Sequence, residues 1–176
     1  MGFAKKCLAA ATVAALAVTS ASAQDQSTNR VAANTDWSVF VEDDPTECWG
    51  VSTPKETVNT RDGRVVAVNR GQILFMVFYR PSAGANGQVA FTGGYPFRSG
   101  STVNVNISGN EFELFTEGEW AWPASPEDDA RIITAMKRGA DAIVTGTSGR
   151  GTVTKDTFSL LGFTAAIEDA AARCGD

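Results

Sequence analysis

The sequence predicts an all-β fold, mainly an antiparallel β-sandwich, with two short helices, the second of them C-terminal. Three observations carry this expectation. Apolar and polar residues alternate with a period of two along most of the chain after residue 36, as half-buried strands require. Turn-forming residues recur about every ten positions, the spacing of a sandwich or barrel. Only two stretches, 125–139 and 162–174, change to a helical period.

Taken in order, Met1 to Ala23 reads as a secretory signal peptide. Lys5 and Lys6 form a basic start, Cys7 to Val18 is apolar, and Ala21-Ser22-Ala23 is a small-x-small cleavage site. The apolar run falls short of the roughly 20 residues that a spanning helix needs. Gln24 to Thr35 is expected to be a flexible N-terminal arm, and residues 36–176 a single domain. Within it, Trp37, Val39 and Val41 share one strand face, with Ser38 and Glu42 on the other. Asp62-Gly63 marks a turn before a strand over Val65 to Val68. Ile73 to Tyr79 is apolar on both faces, which predicts a central strand covered on both sides. Pro81 to Gly87 reads as a loop. Val89 and Phe91 begin a further strand that Gly93-Gly94 bends or ends.

The strongest alternation places Val103, Val105 and Ile107 against Asn104, Asn106 and Ser108. Gly109-Asn110 then offers a tight turn, and Phe112 and Leu114 return opposite Glu111 and Glu113. That is a β-hairpin by pattern and by turn chemistry. Ser125-Pro126-Glu127-Asp128 has the capping serine, first-turn proline and acids of a helix start, and Gly139 ends the helix. Asp141 to Thr147 and Gly151 to Phe158 flank a Ser148-Gly149-Arg150 turn as a last hairpin. Over 162–173 a second helix puts Phe163, Ile167, Ala170 and Cys174 on one face.

Composition narrows the chemistry. The chain has 176 residues, 43% hydrophobic and 20% charged, and no histidine. Ser-His-Asp, Cys-His and His-metal sites are thereby excluded. Lys and Arg number 15 against 20 Asp and Glu, a net charge of −5 that becomes −7 when Lys5 and Lys6 leave with the signal. Such a balance argues against nucleic acid as a partner. No later segment is long and apolar enough to span a membrane. Removal of Cys7 leaves Cys48 and Cys174, and export to an oxidising compartment predicts that they pair. The inward direction of Cys174 on its helix supports the same disulfide.

Few motifs offer catalysis. Ser52-Thr53-Pro54-Lys55 matches the S-x-x-K of serine acylases, but Pro54 forces Thr53 away from the helical turn this chemistry needs. Glu111, Glu113, Glu117 and Glu119 could supply a glycosidase pair, or else form the solvated face of a hairpin. Glu42, Asp43, Asp44 and Glu47 lack the spacing of a calcium loop. No catalytic residue, metal site or cofactor is therefore assigned. The aromatics say more. Trp120 and Trp122 flank Ala121 and share a face, and Tyr95-Pro96-Phe97-Arg98 lies in a glycine-rich setting. Tyr95, Phe97, Arg98, Trp120 and Trp122 make up the candidate binding surface. Trp37 and Trp49 are expected in the core.

The run from Cys48 to Cys174 resembles the invasion-associated locus B (IalB) family of exported α-proteobacterial proteins. The resemblance rests on Gly94-Tyr95-Pro96-Phe97, Ala121-Trp122, Ala135-Met136-Lys137-Arg138-Gly139 and Ser148-Gly149-Arg150-Gly151-Thr152. Its most specific part is Asp156-Thr157-Phe158-Ser159-Leu160 with Leu161-Gly162-Phe163-Thr164-Ala165-Ala166, closing on Cys174. Some relatives carry a further central cysteine pair that this sequence lacks. The resemblance implies a mostly β fold and carries over no catalytic residue. Founding members are linked to host-cell invasion, although the family is also common in free-living bacteria. The expectation is a periplasmic or secreted non-enzymatic protein that binds an envelope or host protein or glycan. The alternatives are a carboxylate-dependent hydrolase of cell-wall or host glycans, and an accessory subunit of an envelope complex.

Overall fold

A computed structural model of the chain describes residues 28–44 and 46–175. The expected signal peptide and cleavage site and the start of the expected arm lie outside the described residues. The first strands are β1 (Arg30–Asn34), β2 (Trp37–Asp43), β3 (Thr46–Ser52), β4 (Glu56–Arg61) and β5 (Arg64–Val65). They are followed by β6 (Leu74–Arg80), β7 (Ala85–Thr92), β8 (Thr102–Ile107), β9 (Asn110–Glu117) and β10 (Trp120–Trp122). Helix α1 (Pro126–Arg138), the hairpin of β11 (Asp141–Thr147) and β12 (Val153–Ser159), and helix α2 (Phe163–Cys174) complete the domain.

All the strands join one antiparallel sheet in the order β1-β2-β3-β6-β7-β10-β9-β8-β11-β12-β4-β5. The two layers of the expected sandwich are therefore two parts of a single sheet that curls over its own inner face. Phe75 of β6 and Phe91 of β7 both meet Phe158 of β12, with ring centroids 5.4 and 6.1 Å apart. These strands are far apart in the sheet order, so only curvature brings them together. The Trp37 indole N–H closes the seam by donating to the Ser159 carbonyl at 2.9 Å.

Alternation decides which side chains enter this core. Val103, Val105 and Ile107 of β8 and Leu114 of β9 are buried as their period-two pattern requires. Helix α2 lies against the inner side of β2 and β3. Phe163 packs edge-on to Trp37, with centroids 4.8 Å apart. A Cβ at Gly50 would stand 2.6 Å from Ile167 Cδ1, so the missing side chain is what lets the helix approach. Cys48 and Cys174 form the expected disulfide with Cα atoms 5.7 Å apart, across a sequence separation of 126. Closing so long a loop restricts the unfolded chain by about 4–5 kcal/mol.

Helix α1 starts as expected: the Ser125 hydroxyl accepts from the Asp128 N–H at 3.2 Å. Its buried stripe is Ile132 and Met136. The Asp129 carboxylate ties the helix to the sheet by accepting from the Val89 N–H at 2.7 Å.

The structure differs from the sequence reading in three places. Part of the supposed arm, Arg30–Asn34, is strand β1 paired with β2. A short edge strand is held by backbone hydrogen bonds and needs little apolar side chain, so its sequence looks like a tail. Polar β4, between β12 and the edge strand β5, is likewise held by ladder bonds on both sides. The strand expected over Val65 to Val68 is confined to Arg64–Val65. Of the loop expected over Pro81 to Gly87, only the start is irregular, a single 3-10 turn at Pro81–Ala83. Strand β6, expected to be covered on both sides, is buried on both.

Candidate functional site

Two surface regions stand out, and both follow from strand alternation. On β3, Cys48, Gly50 and Ser52 point inward, so Trp49 and Val51 must point outward. On β6, Phe75, Val77 and Tyr79 enter the main core while Leu74, Met76 and Phe78 face out. Registers then align the outward residues. Val51 stands opposite Met76, and Met76 opposite Ala90. Trp122 stands opposite Phe115 of β9, and Trp120 opposite Thr92 of β7.

The result is a second apolar cluster on the outer face of β3, β6, β7 and β10. It centres on Met76, Phe78 and Ala90, with Trp49, Val51, Leu74 and Trp122 packed against them. Among the described residues, every member comes from a strand. The sequence predicted a strand covered on both sides. The outer side of β6 is buried as expected, with Met76 and Phe78 only 4% and 9% exposed. Trp49, expected in the core, lies half-buried on this face and stacks on Phe40 at 5.5 Å. The Arg80 guanidinium caps Phe78 4.1 Å from the ring centroid, and Glu47 holds Arg80 by an ion pair of 2.8 Å. Trp120 and Trp122 stack with centroids 6.4 Å apart and planes 19° from parallel. Trp120 is 37% exposed and Phe115 55%.

The other region is a cleft of about 580 Å³ beside β12. Its floor is set by a close backbone contact. Gly71 N–H donates to the Gly94 carbonyl at 2.8 Å. Gly94 has φ +70°, and a Cβ there would come within 2.6 Å of Gly71 O, so only glycine fits both the angle and the space. That contact lays Arg70 under Tyr95. Its guanidinium grips Asp156 through two hydrogen bonds of 2.8 and 2.6 Å. It also donates to the Gly93 carbonyl at 2.8 Å and to Asn59 Oδ1 at 3.3 Å. The side chains of Arg70 and Asp156 are 6% and 0% exposed. Such a pair is a fixed part of the fold, because either partner alone would be a buried uncompensated charge.

Tyr95 covers this pair, 5.1 Å from ring centroid to guanidinium, and its hydroxyl meets Thr154 Oγ1 at 2.6 Å. Burial raises the Tyr95 pKa above the usual phenol value, against the lowering effect of the Thr154 hydrogen bond and the Arg70 charge. Arg61, Glu119, Ser148 and Arg150 stand around the opening. Arg61 is steadied by donating to Thr152 Oγ1 at 2.7 Å.

The proposed surface residues therefore separate. Trp120 and Trp122 belong to the outer face. Tyr95 borders the cleft, and Phe97 is buried beneath it, edge-on to Tyr95 at 5.1 Å. Arg98 is exposed beside the last hairpin turn. The four glutamates also separate. Glu113 and Glu117 are exposed on β9, Glu119 borders the arginine cleft, and Glu111 lines another cleft of about 700 Å³ between the β8–β9 turn and α1. Neither cleft holds two of them. Ser52 and Lys55 are not a catalytic couple: the serine hydroxyl donates to the Asp36 carbonyl at 2.7 Å, and Lys55 forms an ion pair with the Asp36 carboxylate. Lys55 holds the Asp36 carboxyl below its usual pKa.

Sequence reasoning missed Arg70, Asp156 and Phe115. Two of them left a signal. Asp156 occupies an inward position of β12 between buried Thr154 and Phe158, which calls for a buried cation. Phe115 interrupts the outward acidic row of β9. Arg70 lies outside the strands and carries no local mark.

Comparison with known proteins fits this architecture. Among solved structures, the crystal structure of invasion associated protein B from Bartonella henselae is similar in fold, with a TM-score of 0.55. The two share 14% identity over 80% of this chain and 95% of that one. No curated protein matches the chain in sequence. The sequence profile described as invasion associated locus B (IalB) protein matches residues 37–171. That span begins at buried Trp37, ends within α2 and takes in both surface regions, so the chain belongs to the IalB family.

Proposed function

We propose that this chain is an exported protein of the bacterial envelope, periplasmic or secreted, that acts by binding rather than by catalysis. Its binding surface is the outer aromatic face, and its partner is an envelope or host protein or glycan. The observation that carries this reading is the aromatic row of exposed Trp120 and Phe115 with half-buried Trp49 and Trp122 along one sheet face. Contiguous exposed apolar surface on a folded domain is characteristic of interaction sites. Tryptophan and arginine are the residues that most often dominate binding energy, and Arg80 is fixed at the edge of this cluster. The Cys48–Cys174 disulfide supports export, because such bonds persist in oxidising compartments. The dispersed glutamates disfavour a two-carboxylate hydrolase.

The test is affinity capture after cross-linking in cells, together with a glycan panel, using the wild-type chain and a Trp120→Ser/Phe115→Ser variant. The expected result is an envelope component or glycan that the wild type retains and the variant loses. Stoichiometric capture of one envelope protein would favour the accessory-subunit form of this reading. An identical retained set for the two chains would contradict it.

A further inference from the structure

The geometry points to a second, chemically different binding site: the cleft beside β12 takes a small ligand that carries a phosphate or carboxylate group on a body about the size of a monosaccharide. It does not depend on the outer face. The volume, about 580 Å³, lies in the range of small-molecule sites. Charge gives the chemistry. Arg61, Arg70 and Arg150 line the cleft with Glu119 as the one lining carboxylate, on a chain whose acids outnumber its bases 20 to 15. The local balance is opposite to that of the whole molecule.

The arginines divide the work. Arg70 uses four of its five N–H donors on Gly93, Asn59 and Asp156. Asp156 neutralises it, so it forms the floor and offers one remaining N–H. Arg61 and Arg150 are exposed, and among the described residues no carboxylate forms an ion pair with either. Arg61 gives one N–H to Thr152, which orients the guanidinium and leaves its other donors free. Arg150 stands at the tip of the last hairpin, whose turn is fixed by Gly149 N–H to Pro96 O and Gly151 N–H to Ser148 O, each 2.8–2.9 Å. Two arginines on braced backbone suit a planar or tetrahedral oxyanion, which accepts paired N–H donors. Ala67, Val68 and Pro96 supply apolar wall for the uncharged part of the ligand.

The experiment is isothermal titration of the disulfide-bonded chain at low ionic strength with glucose 6-phosphate, glucuronate, inorganic phosphate and uncharged glucose. At least one of the two anionic sugars should bind and glucose should not; which one binds identifies phosphate or carboxylate as the recognised group. Arg61→Gln/Arg150→Gln should weaken binding at least about tenfold, the scale of losing a charge-assisted pair. Glu119→Gln, which removes the repelling carboxylate, should tighten it about two- to threefold, a gain that misfolding cannot imitate. Lys155→Gln, on β12 but outside the cleft lining, should change nothing. Failure of both anionic sugars to bind, equal binding of glucose, or an unchanged affinity in the double arginine variant would overturn the assignment.

Discussion

On the outer face of β3, β6, β7 and β10 the exposed groups are apolar and arranged along a sheet. In the cleft beside β12 they are cationic and concave, above a floor tied down by hydrogen bonds. The difference lies in what the fold asks of each. Met76 and Phe78 are buried on this side of β6, packed with Trp49, Val51, Leu74 and Trp122. Trp120 and Phe115, at the edge of that cluster, are substantially exposed and contribute little to the core. Arg70 and Asp156 are the reverse, a charged pair built into the interior. The exposed rings of Trp120 and Phe115 are surface the fold can lose, and the cleft floor is structure it cannot.

Breaking the interior should therefore have the largest effects. The Cys48→Ala/Cys174→Ala variant should lose about 4–5 kcal/mol in denaturant unfolding. A loss under about 1 kcal/mol would show that the 126-residue loop is already ordered in the unfolded chain. Asp156→Ala should cost about 3–5 kcal/mol, because it leaves Arg70 buried and unpaired. Thermal melting of this variant beside Glu119→Gln, whose effect should stay within about 0.5 kcal/mol, separates the cleft floor from its rim.

The next effect belongs to the joint between α1 and β7. Burial pushes the Asp129 carboxyl up to about 6, aided by nearby Asp128 and opposed by the Val89 N–H hydrogen bond. A folded pKa above the unfolded one means that the fold binds the proton more tightly. Asp129 therefore costs stability progressively as pH rises from about 4 to about 6, and fully above that. Asp129→Asn keeps an acceptor for Val89 and removes the charge. It should gain on the order of 1 kcal/mol at pH 8, after allowance for solvent screening, and nothing at pH 4. Unfolding curves at the two pH values check this, and a gain of equal size at both would assign it to packing instead. The smallest stability effect should come from Trp120→Ser and Phe115→Ser, each within about 0.5 kcal/mol. A loss of several kcal/mol in either would place these rings in the core and erase the contrast between the regions.

Much of the fold was legible because it is written in local periodicity. The β8–β9 hairpin, the Ser125 cap and the inward face of Cys174 each follow from neighbours in sequence. The candidate sites were less legible because they are made by distant neighbours. The grip of Arg70 on Asp156 spans 86 residues and no spacing rule announces it. Strands β1 and β4 are held by ladder bonds to their neighbours, which leave little hydrophobic pattern. Trp49 is the instructive miss. Residue preference placed it in the core, but it follows Cys48, whose disulfide directs it inward, and a period of two then sends Trp49 out. The two apolar faces of β6 were read correctly as a strand buried on both sides, because a run that is apolar at both parities marks such a strand.

The central claim is that the outer aromatic face is where this protein meets its partner. The most direct measurement is site-specific photo-cross-linking in living cells, with a photoreactive amino acid placed in turn at Phe115, at Trp120 and at exposed Ala165 on α2. Discrete adducts from Phe115 and Trp120, with none from Ala165, are the predicted result. Adducts from Ala165 alone, or from no position, would contradict the account.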